Sequence, residues 1–136
     1  MDLTTALENM NWLSVLVAAI SCFLIGGLWY GPLFGAAWMA EFNFTQEHLK
    51  KRNVPRTFGL SLFLAFLASM ILEMFIGAEA DFIYGAVAGF LASFGWVATF
   101  LGILYLFEMK SLKAYAINAG YCIVTLTIMG TILGAW

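Results

Sequence analysis

The chain has 136 residues, 63% hydrophobic and only 10% charged, with a formal net charge of -2. Soluble domains are nearer half apolar with about a quarter of their residues charged, so this composition excludes a water-soluble globule, which would expose large apolar patches, and points to one membrane domain over 1–136 with lipid as its surroundings. So small a net charge gives no reason to expect nucleic acid as a partner.

Residues 1–10 carry Asp2 and Glu8 but no Lys or Arg, so the basic start of a cleaved secretory signal is missing and the first apolar segment is expected to be retained. A first span is predicted at about 11–30, with Trp12 at one end and Trp29 and Tyr30 at the other, where aromatic rings suit a membrane interface. Gly31 and Pro32 are expected to break it. Phe34, Trp38 and Phe42 then recur every four residues, and Pro32 suits the first turn of a new helix, which predicts a short interfacial helix. The alternative is a first span that continues through a proline kink. Thr45 is placed to cap a short polar helix with Glu47 and Lys51 at i,i+4, ended by Asn53 and Pro55.

Further spans are predicted at about 57–76, 82–107 and 114–136, with an acidic turn, containing Glu79 and Asp81, between the second and third. The third is longer than a crossing needs, and tilt absorbs the excess. Lys50, Lys51, Arg52 and Arg56 fall in the first connection, and Lys110 and Lys113 in the third. The positive-inside rule therefore makes the loops at about 31–56 and 108–113 cytoplasmic and places both termini outside. The expected fold class is all-α, a polytopic membrane protein with four transmembrane helices in a compact bundle and a short interfacial helix after the first span.

Lipid gives helices no hydrophobic reason to associate, so small residues that let backbones approach must help. Stripes at a spacing of four are present in every span: Gly27, Gly31 and Gly35; Ser61, Ala65 and Ser69; Gly85, Gly89 and Ser93; Gly130 and Gly134. They serve a compact bundle, and a spare stripe would serve a homo-oligomer.

Few side chains are candidates for chemistry. Glu73 is the ionisable residue inside a predicted span, on the stripe of Ser61, Ala65 and Ser69, and it is the candidate proton site; about one turn from Gly77, it is equally read as an interfacial or packing carboxylate. Asn118, Tyr121 and Thr125 follow an i, i+3, i+7 pattern near the inner side, with Glu108 and Tyr115 at the same end, and are read as one groove, either a hydrogen-bond clamp between helices or a ligand site. Cys22 and Cys122 read as free thiols that pack as small apolar residues, and His48 as a loop residue without metal-spaced companions. Phosphate-binding loops, nucleophile triads and paired acids are missing, so no catalytic, cofactor or metal site is expected and the chain is not read as an enzyme.

Several segments together resemble a known family: Asn11-Trp12; Gly27 to Gly35 followed by Trp38-Met39; Phe107-Glu108; Ile117 to Tyr121; and the terminal Met129-Gly130 and Ile132 to Trp136. They are similar to the bacterial domain-of-unknown-function family numbered seventeen sixty-one, over nearly the whole chain. The resemblance implies a small four-helix inner-membrane protein and carries no activity. It draws attention to Trp29, Tyr30, Trp38, Glu108, Asn118 and Tyr121 at the inner ends of the first, third and fourth spans, and away from Glu73. The leading expectation is a non-enzymatic integral membrane protein that assembles with itself or with another membrane protein. The alternative is a small-solute transporter or binding protein, with proton coupling through Glu73 as one variant.

Overall fold

The computed structural model describes residues 2–136. Among the described residues four helices are long and apolar enough to cross a membrane: Trp12–Leu33, Val54–Ile76, Phe82–Phe107 and Leu112–Ala135, here spans one to four. At 1.5 Å per residue even the 22 residues of span one extend about 33 Å, against roughly 30 Å of bilayer hydrocarbon. The spans alternate in direction. One end of the bundle carries the basic connections, and the other carries a short N-terminal helix, Leu3–Glu8, and the turn between spans two and three.

Each span opens on a side chain that accepts a bond from one of its first free N–H groups: Asn11 from Ser14 at 3.1 Å, Asn53 from Arg56 at 3.1 Å, Asp81 from Tyr84 at 2.8 Å and Ser111 from Ala114 at 3.0 Å. Asn53 therefore starts span two and does not end the polar helix before it, and Pro55 sits in the first turn, where its missing N–H removes no bond.

The end of span one differs from a clean break at Gly31-Pro32. The helix runs on through Pro32 in a widened turn over Trp29–Leu33, closed by the Phe34 N–H on the Trp29 carbonyl at 2.8 Å, five residues apart. Such an i→i+5 turn accommodates the proline, so Pro32 belongs to span one and does not open the next helix. A short helix over Gly35–Phe42 follows and ends at Asn43, which takes a left-handed conformation with φ 57° that asparagine tolerates. The polar helix Gln46–Lys50 is capped by Thr45 as its sequence suggests, the His48 N–H lying 3.1 Å from the hydroxyl.

Span three contains a second widened turn, over Ser93–Ala98. It rephases the helix. Gly85, Gly89 and Ser93 are spaced by four, then Ala98 follows by five, and all four are buried on one face.

Spans three and four pack most closely. A Cβ built on Gly85 would lie 2.0 Å from the Gly130 carbonyl oxygen, one on Gly89 would lie 2.1 Å from that of Leu126, and one on Gly134 would lie 2.2 Å from that of Asp81. Only glycine permits backbones this near, which is how small-residue stripes replace the missing hydrophobic drive. Span one packs against span four as well and holds span two through Ser69, whose hydroxyl donates to the Val15 carbonyl at 2.8 Å in the buried interior. Val15, Ala18, Leu72, Ile76, Met129 and Leu133 fill the core, all in the half of the bundle nearer the termini. The basic half is open, because every residue from Val54 to Leu64 of span two is exposed.

Candidate functional site

Where span two stands away from its neighbours, a groove of about 770 Å³ remains at the basic end. Span one contributes Cys22, Gly26, Gly27 and Tyr30; span two contributes Thr57, Phe58 and Ser61; the floor is Asn118, Tyr121 and Cys122 of span four. Leu101 and Tyr105 of span three close one side, and Trp38, Gln46 and Arg52 of the intervening segment lie over the mouth. Two glycines shape it. Nothing lies within 4 Å of a Cβ built on Gly27, so that wall is open space, whereas one on Gly26 would sit 3.3 Å from the Tyr121 hydroxyl.

A chain of hydrogen bonds crosses the floor. Tyr30 donates its hydroxyl proton to Asn118 Oδ1 at 2.6 Å, and Asn118 Nδ2 donates to the Tyr105 hydroxyl at 2.6 Å, linking spans one, four and three. Tyr105 thus accepts within the protein and keeps its own proton for a further partner, as does Asn118 with its second N–H. Beside them the Tyr121 hydroxyl donates to the Cys22 carbonyl at 3.0 Å and lies 3.0 Å from the Cys22 sulfur. Each of these groups sits where an apolar medium makes an unmade bond expensive, so the network holds the helices in register as well as shaping the groove.

Aromatic rings complete the basic end. Tyr30 meets Trp38 and Tyr121 edge-on, both at 5.2 Å between centroids, and Trp38 meets Phe44 at 5.0 Å. Lys110 lies over the Phe42 ring at 5.1 Å, which ties the first basic loop to the second. His48 stacks on Phe44 at 5.6 Å.

Of the residues singled out in the sequence, Tyr30, Trp38, Asn118 and Tyr121 come together in the groove. Trp29 lies just behind it, its indole N–H donating to the Ile117 carbonyl at 2.8 Å and its ring against Gly120. Glu108 is not part of the groove. Span three ends at Phe107, Glu108 is its exposed terminal cap, and Met109 turns the chain away with φ 55°. Thr125 continues the stripe of Asn118 and Tyr121 into the core, where its hydroxyl is buried without a partner among the described residues. The reading of the sequence missed Tyr105, Arg52, Phe58 and the two cysteines as groove residues; both thiols are free. Tyr105 was open to discovery, since it is an aromatic with a polar tip near the inner end of span three, at the same end as Tyr30 and Asn118.

Glu73 lies at the other end. It is only 8% exposed, its Oε2 has no partner among the described residues, and it borders a separate cavity of about 280 Å³ beneath the N-terminal helix, with Asp2, Thr5 and Asn9. The core separates it from the groove, so the structure does not join the two candidate sites. Among the described residues no three His, Cys, Asp or Glu side chains are grouped to hold a metal.

No curated protein and no solved structure matches the chain. The sequence pattern of a family described as "Protein of unknown function (DUF1761)" matches residues 13–134, from the first turn of span one to the last turn of span four. The match covers the four spans, the groove and the helices over its mouth, and the chain belongs to that family.

Proposed function

We propose that this multi-pass membrane protein is a non-enzymatic binding protein of the bacterial inner membrane that holds a small molecule in the basic-end groove, with the two basic loops in the cytoplasm. One observation carries the reading: a concavity of about 770 Å³, within the size range of small-molecule sites, combines apolar and aromatic walls with a few convergent polar groups that retain bonding capacity. The distribution of Lys and Arg supports the orientation, all six belonging to the groove end. The assembly reading draws on small-residue stripes, but Gly85, Gly89, Gly130 and Gly134 are spent within the chain. Proton coupling through Glu73 gains no support from a carboxylate at the opposite end.

The test is native mass spectrometry of the protein released gently from its own membrane, beside the Tyr105→Phe and Asn118→Leu variants. The expected result is a reproducible bound mass on the parent protein that is reduced in Tyr105→Phe and lost in Asn118→Leu, with helix content by circular dichroism unchanged. A parent protein free of bound small molecules, or a bound mass indifferent to both substitutions, refutes the reading.

A further inference from the structure

Resting on the reading of the groove as a binding site, we infer that its ligand is an amphiphile with an anionic head, a carboxylate or phosphate, on an apolar tail. Among the described residues the lining contains one formal charge, the Arg52 guanidinium at the mouth, and no acidic side chain. Arg52 is already oriented. Its Nε donates to the Leu49 carbonyl at 3.0 Å, which leaves both terminal nitrogens to form the paired bonds that a carboxylate or phosphate accepts. A cationic ligand would meet this guanidinium with nothing to offset it.

Below the mouth the chemistry changes in the direction an amphiphile requires. Phe23 and Phe58 pack on each other at 6.2 Å between centroids and form one apolar wall, and Leu101 and the open backbone at Gly27 add to the lining. Along span one the lining runs from Gly31 to Cys22, a depth of about 13 Å at 1.5 Å per residue. The tail has a side entrance too. Span two meets span three near Phe75 and Trp96, whose rings are 6.4 Å apart, while toward the basic end span two is exposed from Val54 to Leu64, so the groove opens sideways to surrounding lipid. A molecule with its head at the membrane surface and its tail in hydrocarbon enters without leaving the bilayer.

The experiment is photolabelling in phosphatidylcholine nanodiscs at pH 8 with two probes, a diazirine-bearing palmitic acid and the matching hexadecanol, with adducts mapped to single residues by fragmentation. The acid is expected to mark Phe23 and Phe58 and to be displaced by excess palmitate. Arg52→Gln should cut acid labelling about tenfold, the worth of a lost charge-assisted bond, and leave alcohol labelling unchanged. Lys50→Gln, which does not line the groove, should change neither. Repeating the acid experiment in phosphatidylglycerol nanodiscs separates two sources of the same chemistry: suppressed labelling identifies a bilayer headgroup as the occupant, and undiminished labelling a free amphiphile. Acid and alcohol marking the groove equally, with no effect of Arg52→Gln, overturns the anionic head while keeping a binding groove. If neither probe marks Phe23 and Phe58 above the lipid-facing Leu24 and Phe63, the binding reading itself falls.

Discussion

Gly85→Ala places one methyl group where spans three and four have no room for it. The new Cβ would sit 2.0 Å from the Gly130 carbonyl oxygen and 3.1 Å from the Gly134 Cα, where an ordinary contact begins near 3.4 Å, so the helices must part by about 1.4 Å. These neighbours are backbone and have no rotamer to escape into. A gap of even 0.5–1 Å forfeits roughly a quarter to a half of the dispersion well at each facing pair, and overpacking of this kind costs about 3 kcal/mol at the upper end of its usual range. Alanine returns about 1 kcal/mol through its better helix propensity. The net loss is about 2 kcal/mol, or about thirtyfold in the unfolding equilibrium. Reversible unfolding by sodium dodecyl sulfate in mixed micelles, followed by circular dichroism, measures it. The control is Gly95→Ala on the same helix, where nothing lies within 4 Å of the added carbon and the substitution should be neutral or slightly stabilising. If Gly85→Ala unfolds at the same detergent fraction as Gly95→Ala, the glycine interface between spans three and four is not what holds them together.

Other substitutions probe the remaining contacts. Tyr121→Phe removes the hydroxyl that reaches the Cys22 carbonyl and should cost about 0.6 kcal/mol in the same titration, the average for a hydrogen bond between membrane helices; a loss several times larger would mean that the hydroxyl carries more of the network than its own bond. Glu73→Met keeps the bulk of the side chain and removes a buried oxygen that has no partner among the described residues, so stability should hold or rise by about 1–3 kcal/mol. A clear destabilisation would reveal a partner for the carboxylate. For orientation, with Cys22 and Cys122 replaced by alanine, a membrane-impermeant maleimide applied to intact cells should label Asp81→Cys and spare Lys50→Cys until the cells are opened, and the reverse pattern would invert the topology.

The bundle was legible because its signals are strong and local: long uncharged runs, charged connections between them and glycines at a spacing of four, whereas the caps that start the spans went unread, Asn53 being taken for the end of the polar helix. The groove was half legible. Asn118 and Tyr121 share a helical face by spacing, and Tyr30 and Trp38 stand near a helix end where aromatics gather, so their shared end was within reach. Two physical facts hid the rest. First, Glu108 was grouped with the groove because it stands at the same end of the bundle as Asn118 and Tyr121, but a helix end in water accommodates a charge without any groove, and the chain turns away at Met109. Second, the standing-off of span two leaves no trace in composition, since a helix wall facing lipid and one facing an apolar groove are built from the same residues. Phe58 and Phe63 look alike in sequence, yet only Phe58 lines the groove.

The extra residue in the widened turn of span three sets the phase of everything after it. One residue of an α-helix is about 100° of rotation. With the turn present, Ala98 receives the Tyr115 hydroxyl on its carbonyl at 2.9 Å, Gly102 lies against the Tyr115 ring, and Tyr105 reaches Asn118. If the turn tightened to ordinary α-helix, the segment beyond it would swing by about 100°, carrying Tyr105 off the groove wall and toward lipid. The widened turn thus decides that Tyr105 lines the groove, while the glycines packed against span four lie on the part of the helix before it.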